Sequence, residues 1–337
     1  MEEFKVSVCM ITYNHEKFIQ QAIEGVMMQI TSFPVKLIIG EDCSTDKTRS
    51  ICIEYQKKYP ERIQLILQEK NLGAIPNFIQ NLNNCIDGYK YVAICEGDDY
   101  WIDPYKLQKQ IDYLESHTNL GLVYTDTKIL IDDTKEFVPK IAGVNFFEDK
   151  RVISELMKTN YIEFASVVFR VKKLKVALDT LIPQFNKDSI LADTPLILEF
   201  AQNSKLGYIP EETTVYRINQ GSLSRPLIYD KFLTSINEPY LCRKKFLSRY
   251  NLNKKLLAVP VCNYNRALIQ KAGRQSSYYK ALKLISHIKI KDTILFCDME
   301  TFKKKIDFKM MLKLFFSISG ISALRMKIIL TRQKQKI

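Results

Sequence analysis

The feature that most constrains this chain is an alternation of two periodicities through its first 125 residues. Short runs rich in Val, Ile and Leu occupy residues 6–11, 35–40, 63–67, 91–95 and 120–125. Runs of that kind suit strands buried on both faces. Between them the apolar spacing becomes helical: Phe18, Ile19, Ala22, Ile23 and Val26 share one face, as do Thr48, Ile51, Cys52 and Tyr55. Asp103-Pro104 predicts the start of a third helix, with Leu107, Ile111 and Leu114 along one side. Strand and helix alternating in this way is βαβ sequence, so the expected fold class is α/β, a Rossmann-like, mostly parallel sheet flanked by helices.

Beyond residue 130 the pattern loosens. A strand is expected at 165–170, a helix at 190–202, and two short strands around Pro210 within 206–217. From Leu227 onward the pattern is helical, with an irregular break at 258–265. The expected domains are 1–225, a helical extension at 226–300, and a basic tail at 301–337.

The chain has 337 residues and a formal net charge of +13. The excess is concentrated in the tail, where Lys and Arg face the single acid Asp307. Within the tail, Met311, Leu314, Phe315, Ile318 and Ile321 form an apolar stripe between Lys309/Lys313 and Arg325/Lys327, as in a helix lying on an anionic membrane. The alternative is a helix packed on the main domain with a solvated basic face. The longest uncharged apolar run, 314–324, is too short to span a bilayer. The eight cysteines include no C-x-x-C pair, and there are three histidines, so neither a zinc site nor a disulfide framework is expected. With no signal peptide read at the N-terminus, a cytoplasmic location is expected, peripheral at the inner membrane face if the tail docks there.

In open parallel sheets ligands bind beyond the carboxyl ends of the strands. Four polar clusters fall at those positions: Thr12-Tyr13-Asn14, the run from Glu41 to Asp46, Lys70-Asn71-Leu72-Gly73, and Glu96-Gly97-Asp98-Asp99. Any one of them reads equally well as an ordinary loop, but four in register predict a shared rim. Carboxylates grouped around a glycine suit Mg²⁺ or Mn²⁺, hard cations that share their ligands with substrate phosphates. Neither G-x-x-x-x-G-K-[ST] nor G-x-G-x-x-G occurs, which removes the main support for a P-loop kinase or a dinucleotide oxidoreductase. No nucleic-acid partner is expected, because the Lys/Arg excess lies in the tail rather than along the carboxylate rim.

The ordered segments VSVCMITYNHEKF, IIGEDCSTDKT, EKNLG and AICEGDDYWIDPYKLQKQ resemble the family 2 glycosyltransferases of GT-A fold, over roughly residues 4–225. The resemblance implies an inverting enzyme that moves a sugar from a nucleotide-sugar to a hydroxyl of a glycan or lipid-linked acceptor. It places Thr12, Tyr13, Asn14 and Glu16 in the first nucleotide loop, and Asp42 on the uracil ring with Ser44 beside it. Lys70, Asn71 and Gly73 would flank the nucleoside. Glu96-Gly97-Asp98 stands where the family has D-x-D, and the Mn²⁺ or Mg²⁺ ion is assigned to Asp98 and Asp99. Asp193 is implied as the base, although a plain helix start explains it too. Trp101 is implied on the acceptor side, with core packing as its alternative. Arg217 is implied as a diphosphate contact, with an ordinary surface arginine as the alternative. A metal-dependent nucleotidyltransferase and a non-catalytic nucleotide- or glycan-binding protein are the rival functions.

Overall fold

The computed structural model describes residues 5–138, 152–185, 189, 192–219 and 229–272. It divides into two compact units, residues 1–156 with 160–232, and residues 157–159 with 233–337. The tail at 301–337, with its expected membrane-facing stripe, lies outside the described residues, as do 226–228 and 273–300.

Unit 1 opens with three turns of strand and helix: β1 (Val6–Thr12), α1 (Ile19–Met27), β2 (Val35–Glu41), α2 (Thr48–Lys58), β3 (Ile63–Leu67) and α3 (Ala74–Ile86). There follow β4 (Tyr91–Ile94), the short β5 (Tyr100–Trp101), α4 (Lys106–Ser116), the long β6 (Leu120–Ile131) and β7 (Glu136–Val138). The remaining elements are α5 (Val152–Lys158), β8 (Val168–Arg170), α6 (Val171–Leu181), α7 (Asp193–Asn203) and β9 (Lys205–Ile218). Among the described residues the strands form one sheet in the order β3-β2-β1-β4-β8-β6-β9-β5, with β7 on the outer part of β6. β3, β2, β1 and β4 are parallel, as are β6 and β9, whereas β8 and β5 run antiparallel to their neighbours.

The core forms as the apolar runs predict. Val8, Met10, Leu37, Ile39 and Ala93 from the strands pack with Ile23 of α1 and with Leu107, Ile111 and Leu114 of α4. α4 starts at Lys106, two residues after Pro104, and Asp103 Oδ1 still accepts the Tyr105 N–H at 2.9 Å.

Three expectations are corrected. The span 165–170 is a 3-10 turn, Phe164–Ser166, before the short β8. The two strands expected around Pro210 are one strand, β9. Its pairing with β6 shifts near Asp126, so the ladder skips the residue that lacks an N–H. The break expected at 258–265 is helical. Pro260 lies in the first turn of α9 (Ala258–Ala272), where its missing N–H costs nothing.

The described part of unit 2 is helical, comprising most of α8 (Tyr229–Arg249), a 3-10 turn at Lys254–Leu257, and α9. Tyr240 and Tyr264 pack with ring centroids 6.0 Å apart. Among the described residues no helix is long and apolar enough to cross a membrane.

Candidate active site

The loops after β1 and β2 are laced together through their backbones. Asn14 N–H donates to Ser44 Oγ at 3.0 Å, and Thr45 N–H donates back to Asn14 Oδ1 at 2.8 Å. Glu16 N–H donates to Asp46 Oδ2 at 3.0 Å, and Lys47 N–H to Glu16 Oε2 at 3.1 Å. Asn14 sits at φ 55°, a left-handed conformation that asparagine tolerates better than most residues. Thr12 is buried, while the Tyr13 ring is exposed at the rim.

Asp42, just past β2, is 2% exposed. Its Oδ1 accepts the Leu72 N–H at 2.7 Å and its Oδ2 the Gly73 N–H at 2.9 Å. Burial pushes this carboxyl above its usual range, and the two N–H donors offset that only in part. Gly73, at φ 89° before α3, adopts a backbone that a side chain would strain. Asn71 Nδ2 donates to the Asp42 carbonyl at 3.2 Å, and Lys70 is exposed beside it.

The turn after β4 is tight, with Asp99 N–H donating to Glu96 O at 3.1 Å and Gly97 N–H to Ile11 O at 3.0 Å. A Cβ at Gly97 would lie 2.7 Å from Thr12 Oγ1, so only glycine allows the first and fourth loops to meet. Carboxylates collect around this turn. Glu96, partly buried, is pushed up to about 8 by burial first, then by the charges of Asp98, Asp193 and Glu163. Asp193 opens α7, and Asn160 Nδ2 donates to its Oδ2 at 2.7 Å. Glu163 belongs to the loop that leads into the 3-10 turn before β8.

A family model for glycosyl transferase family 2 matches residues 7–175. The chain belongs to this family. Among curated proteins, Rv1520 of Mycobacterium tuberculosis is 34% identical over 220 residues, 63% of this chain and 58% of that protein. EpsE of Bacillus subtilis is 35% identical over 123 residues, 36% of this chain and 42% of EpsE. The chain thus spans less than two thirds of either relative. Among solved structures, TarS 1-349 of S. aureus superposes with a TM-score of 0.55 at 14% identity, over 96% of this chain and 92% of that one. That likeness shows the GT-A fold.

Within this family 2 fold, most residues singled out from the sequence do converge on the rim, but three are placed otherwise. Asp99, expected at the ion, is 2% exposed, and its Oδ1 accepts the Arg217 N–H at 2.8 Å. Burial, then the charges of Asp98 and Glu96, raise it well above the usual carboxylate range. Arg217, expected on a diphosphate, is 5% exposed. Its guanidinium donates to the Asp98 carbonyl at 2.7 Å and to Gln21 Oε1, and lies 4.3 Å over the Tyr100 ring. It therefore braces the carboxylate turn from below. Trp101, expected on the acceptor side, is a core residue instead. It is 2% exposed, and its indole N–H donates to Ala165 O at 2.9 Å. Glu163 was not among the residues singled out; nothing local in NYIEFAS marks it, and only the tertiary approach to Glu96 does.

Proposed function

We propose that the protein transfers a sugar from a nucleotide-sugar, with a UDP-sugar the favoured donor, to a hydroxyl of a glycan or lipid-linked acceptor in surface polysaccharide synthesis, inverting the anomeric carbon. The observation that carries this reading is the division of the rim of a family 2 fold. Asp42, held by two N–H groups, stands on one side, and Glu96, Asp98, Glu163 and Asp193 gather on the other. TarS, which shares the fold, has been solved with UDP-GlcNAc, and this supports uridine as the base.

The donor set around the turn suits Mn²⁺ or Mg²⁺, because it offers hard carboxylate oxygens whose mutual repulsion a cation would relieve. Among the described residues no three such side chains are arranged to hold an ion alone. Asp98 would then be the principal protein ligand, with Asp99 engaged by Arg217, and the diphosphate and water would complete the shell. When bound, the ion neutralises charge on the departing diphosphate.

The chain's own residues do the rest. Asp42 accepts a ring N–H of the base, since each carboxylate oxygen can take more than one donor. Asn160 fixes the rotamer of Asp193, which removes the proton from the acceptor hydroxyl. The acceptor oxygen forms its bond to the anomeric carbon as the bond to the diphosphate breaks, and the diphosphate leaves with the electron pair. The basic tail at 301–337 would bring the enzyme to an anionic surface where the acceptor is membrane-borne.

A panel of nucleotide-sugars with Mn²⁺, scored for release of nucleoside diphosphate with and without EDTA, tests the reading. Turnover with one donor, abolished by EDTA, is expected. Release from no donor would overturn it.

A further inference from the structure

Beneath the carboxylate turn lies a wholly buried lysine that the reaction as described does not use. Lys106, in the first turn of α4, has no exposed surface. Its Nζ donates to Gln110 Oε1 at 2.6 Å and to Ser166 O at 3.3 Å, and stands 4.4 Å from the centre of the Trp101 ring. Gln110, equally buried, donates from Nε2 to the same Ser166 carbonyl at 2.9 Å and to Val123 O at 3.2 Å. The Trp101 indole N–H takes the preceding carbonyl, Ala165 O. Two consecutive carbonyls of the 3-10 turn are therefore gripped by three side chains from β5 and α4.

The same turn closes on Glu163. Ser166 N–H and Ser166 Oγ both donate to Glu163 O, at 3.0 and 2.7 Å. One residue further on, Val167 O accepts the Ile94 N–H at 3.2 Å, tying the segment to the strand that ends at the carboxylate turn. An ammonium group is expensive to bury, and an apolar side chain of similar size would fill the space at lower cost. What Lys106 and Gln110 add over such a side chain is a set of directed bonds to the Ser166 carbonyl.

We propose that Lys106 is a positioning residue which, with Gln110 and Trp101, holds the Phe164–Ser166 turn and thereby sets where Glu163 stands against Glu96. The kinetic consequence rests on the reading of this rim as the transfer site. The structural consequence does not.

The test uses the full chain and two variants. Lys106→Met keeps the length of the side chain and removes its donors. Trp101→Phe keeps a ring beneath Lys106 and removes the bond to Ala165. Hydrogen exchange followed by mass spectrometry should show amides of the 163–167 segment exchanging about tenfold faster in Lys106→Met, with β1, β2 and β3 unchanged. Trp101→Phe should shift the same peptide by less. With the donor identified, kcat should fall about tenfold in Lys106→Met while the donor KM stays within about twofold, as expected when only the transition-state geometry is disturbed. Unchanged exchange at 163–167 in both variants would overturn the proposal, as would a raised donor KM with kcat intact. If Lys106→Met shows no cooperative unfolding transition, Trp101→Phe decides through the same two readouts. A wild-type protein that turns over no donor sinks the proposed function, and the exchange result still judges the positioning role.

Discussion

The two sides of the rim carry similar numbers of acids and treat them in opposite ways. On the side of β1, β2 and β3, Glu41 and Asp46 are scaffold, while Asp42 is held by two backbone N–H groups. Glu41, with no exposed surface, takes the Arg49 guanidinium and the Ser44 N–H at 2.6 Å. Burial works to raise Asp46, but bonds from Thr48 and from the Glu16 N–H outweigh it and hold the carboxyl below its usual range. Around the turn after β4, by contrast, burial and neighbouring acids push Glu96 up to about 8. Negative charge that is already compensated builds a loop. Negative charge that accumulates is poised for a cationic or proton-donating ligand. Sequence shows the acids on both sides, and only the partners tell them apart.

Three substitutions separate the two sides further. The largest effect belongs to the reacting side. Asp193→Asn should lower kcat by about 10²–10⁴, the span of general-base catalysis, while calorimetry finds nucleoside diphosphate affinity unchanged. Full turnover in this variant would remove Asp193 from the mechanism.

On the scaffold side, Asp42→Ala leaves the Leu72 and Gly73 N–H groups without their buried acceptor. Urea unfolding should show a loss of about 1–3 kcal/mol, and the donor KM should rise with little change in kcat. A fall in kcat alone would contradict the division drawn between the two sides.

The third effect is a pH dependence. Burial pushes Lys106 down from 10.5 to about 7. Between those values the unfolded chain binds a proton that the folded protein does not. The stability Lys106 contributes is therefore complete above pH 10.5 and lost as pH falls through about 7. The Tm of Lys106→Met minus that of wild type should be most favourable to the variant below pH 7 and should diminish toward pH 10, at about 1–2 °C per kcal/mol for a chain of this size. A difference that is flat across pH would show that Lys106 titrates like an exposed lysine.

Much of the parallel half was legible in the sequence because its signals are local. The strands at 63–67 and at 91–95 match β3 and β4 to within a residue, since an unbroken apolar run between helical patterns has few other uses. The buried polar contacts of α3 were not legible. Its sequence, AIPNFIQNLNNCI, places asparagines at Asn77 and Asn81 on the face that packs against the sheet. There Asn77 Nδ2 donates to Gly40 O, and Asn81 Nδ2 to Met10 O and Ile38 O, each at 3.0 Å. The apolar stripe runs unbroken beside these asparagines, and only the fold shows that they are turned to strand carbonyls. The mixed half was harder still, because β8 and β5 are too short to carry a pattern and β9 runs through Pro210.

The sequence by itself determined the βαβ order, the loops that form the rim, and the residue types concentrated there, because periodicity and turn chemistry act over a few neighbouring residues. The tertiary structure alone decided which way each rim side chain turned. Asp99, Trp101 and Arg217 sit in the motifs that resemble the family, yet all three are drawn inward, since a buried backbone N–H, a carbonyl and a ring stack gave each a partner beneath the surface. Glu163 moved the other way, from an unmarked loop into the acidic group, because the Ala165 and Ser166 carbonyls beside it are held by residues far away in the chain.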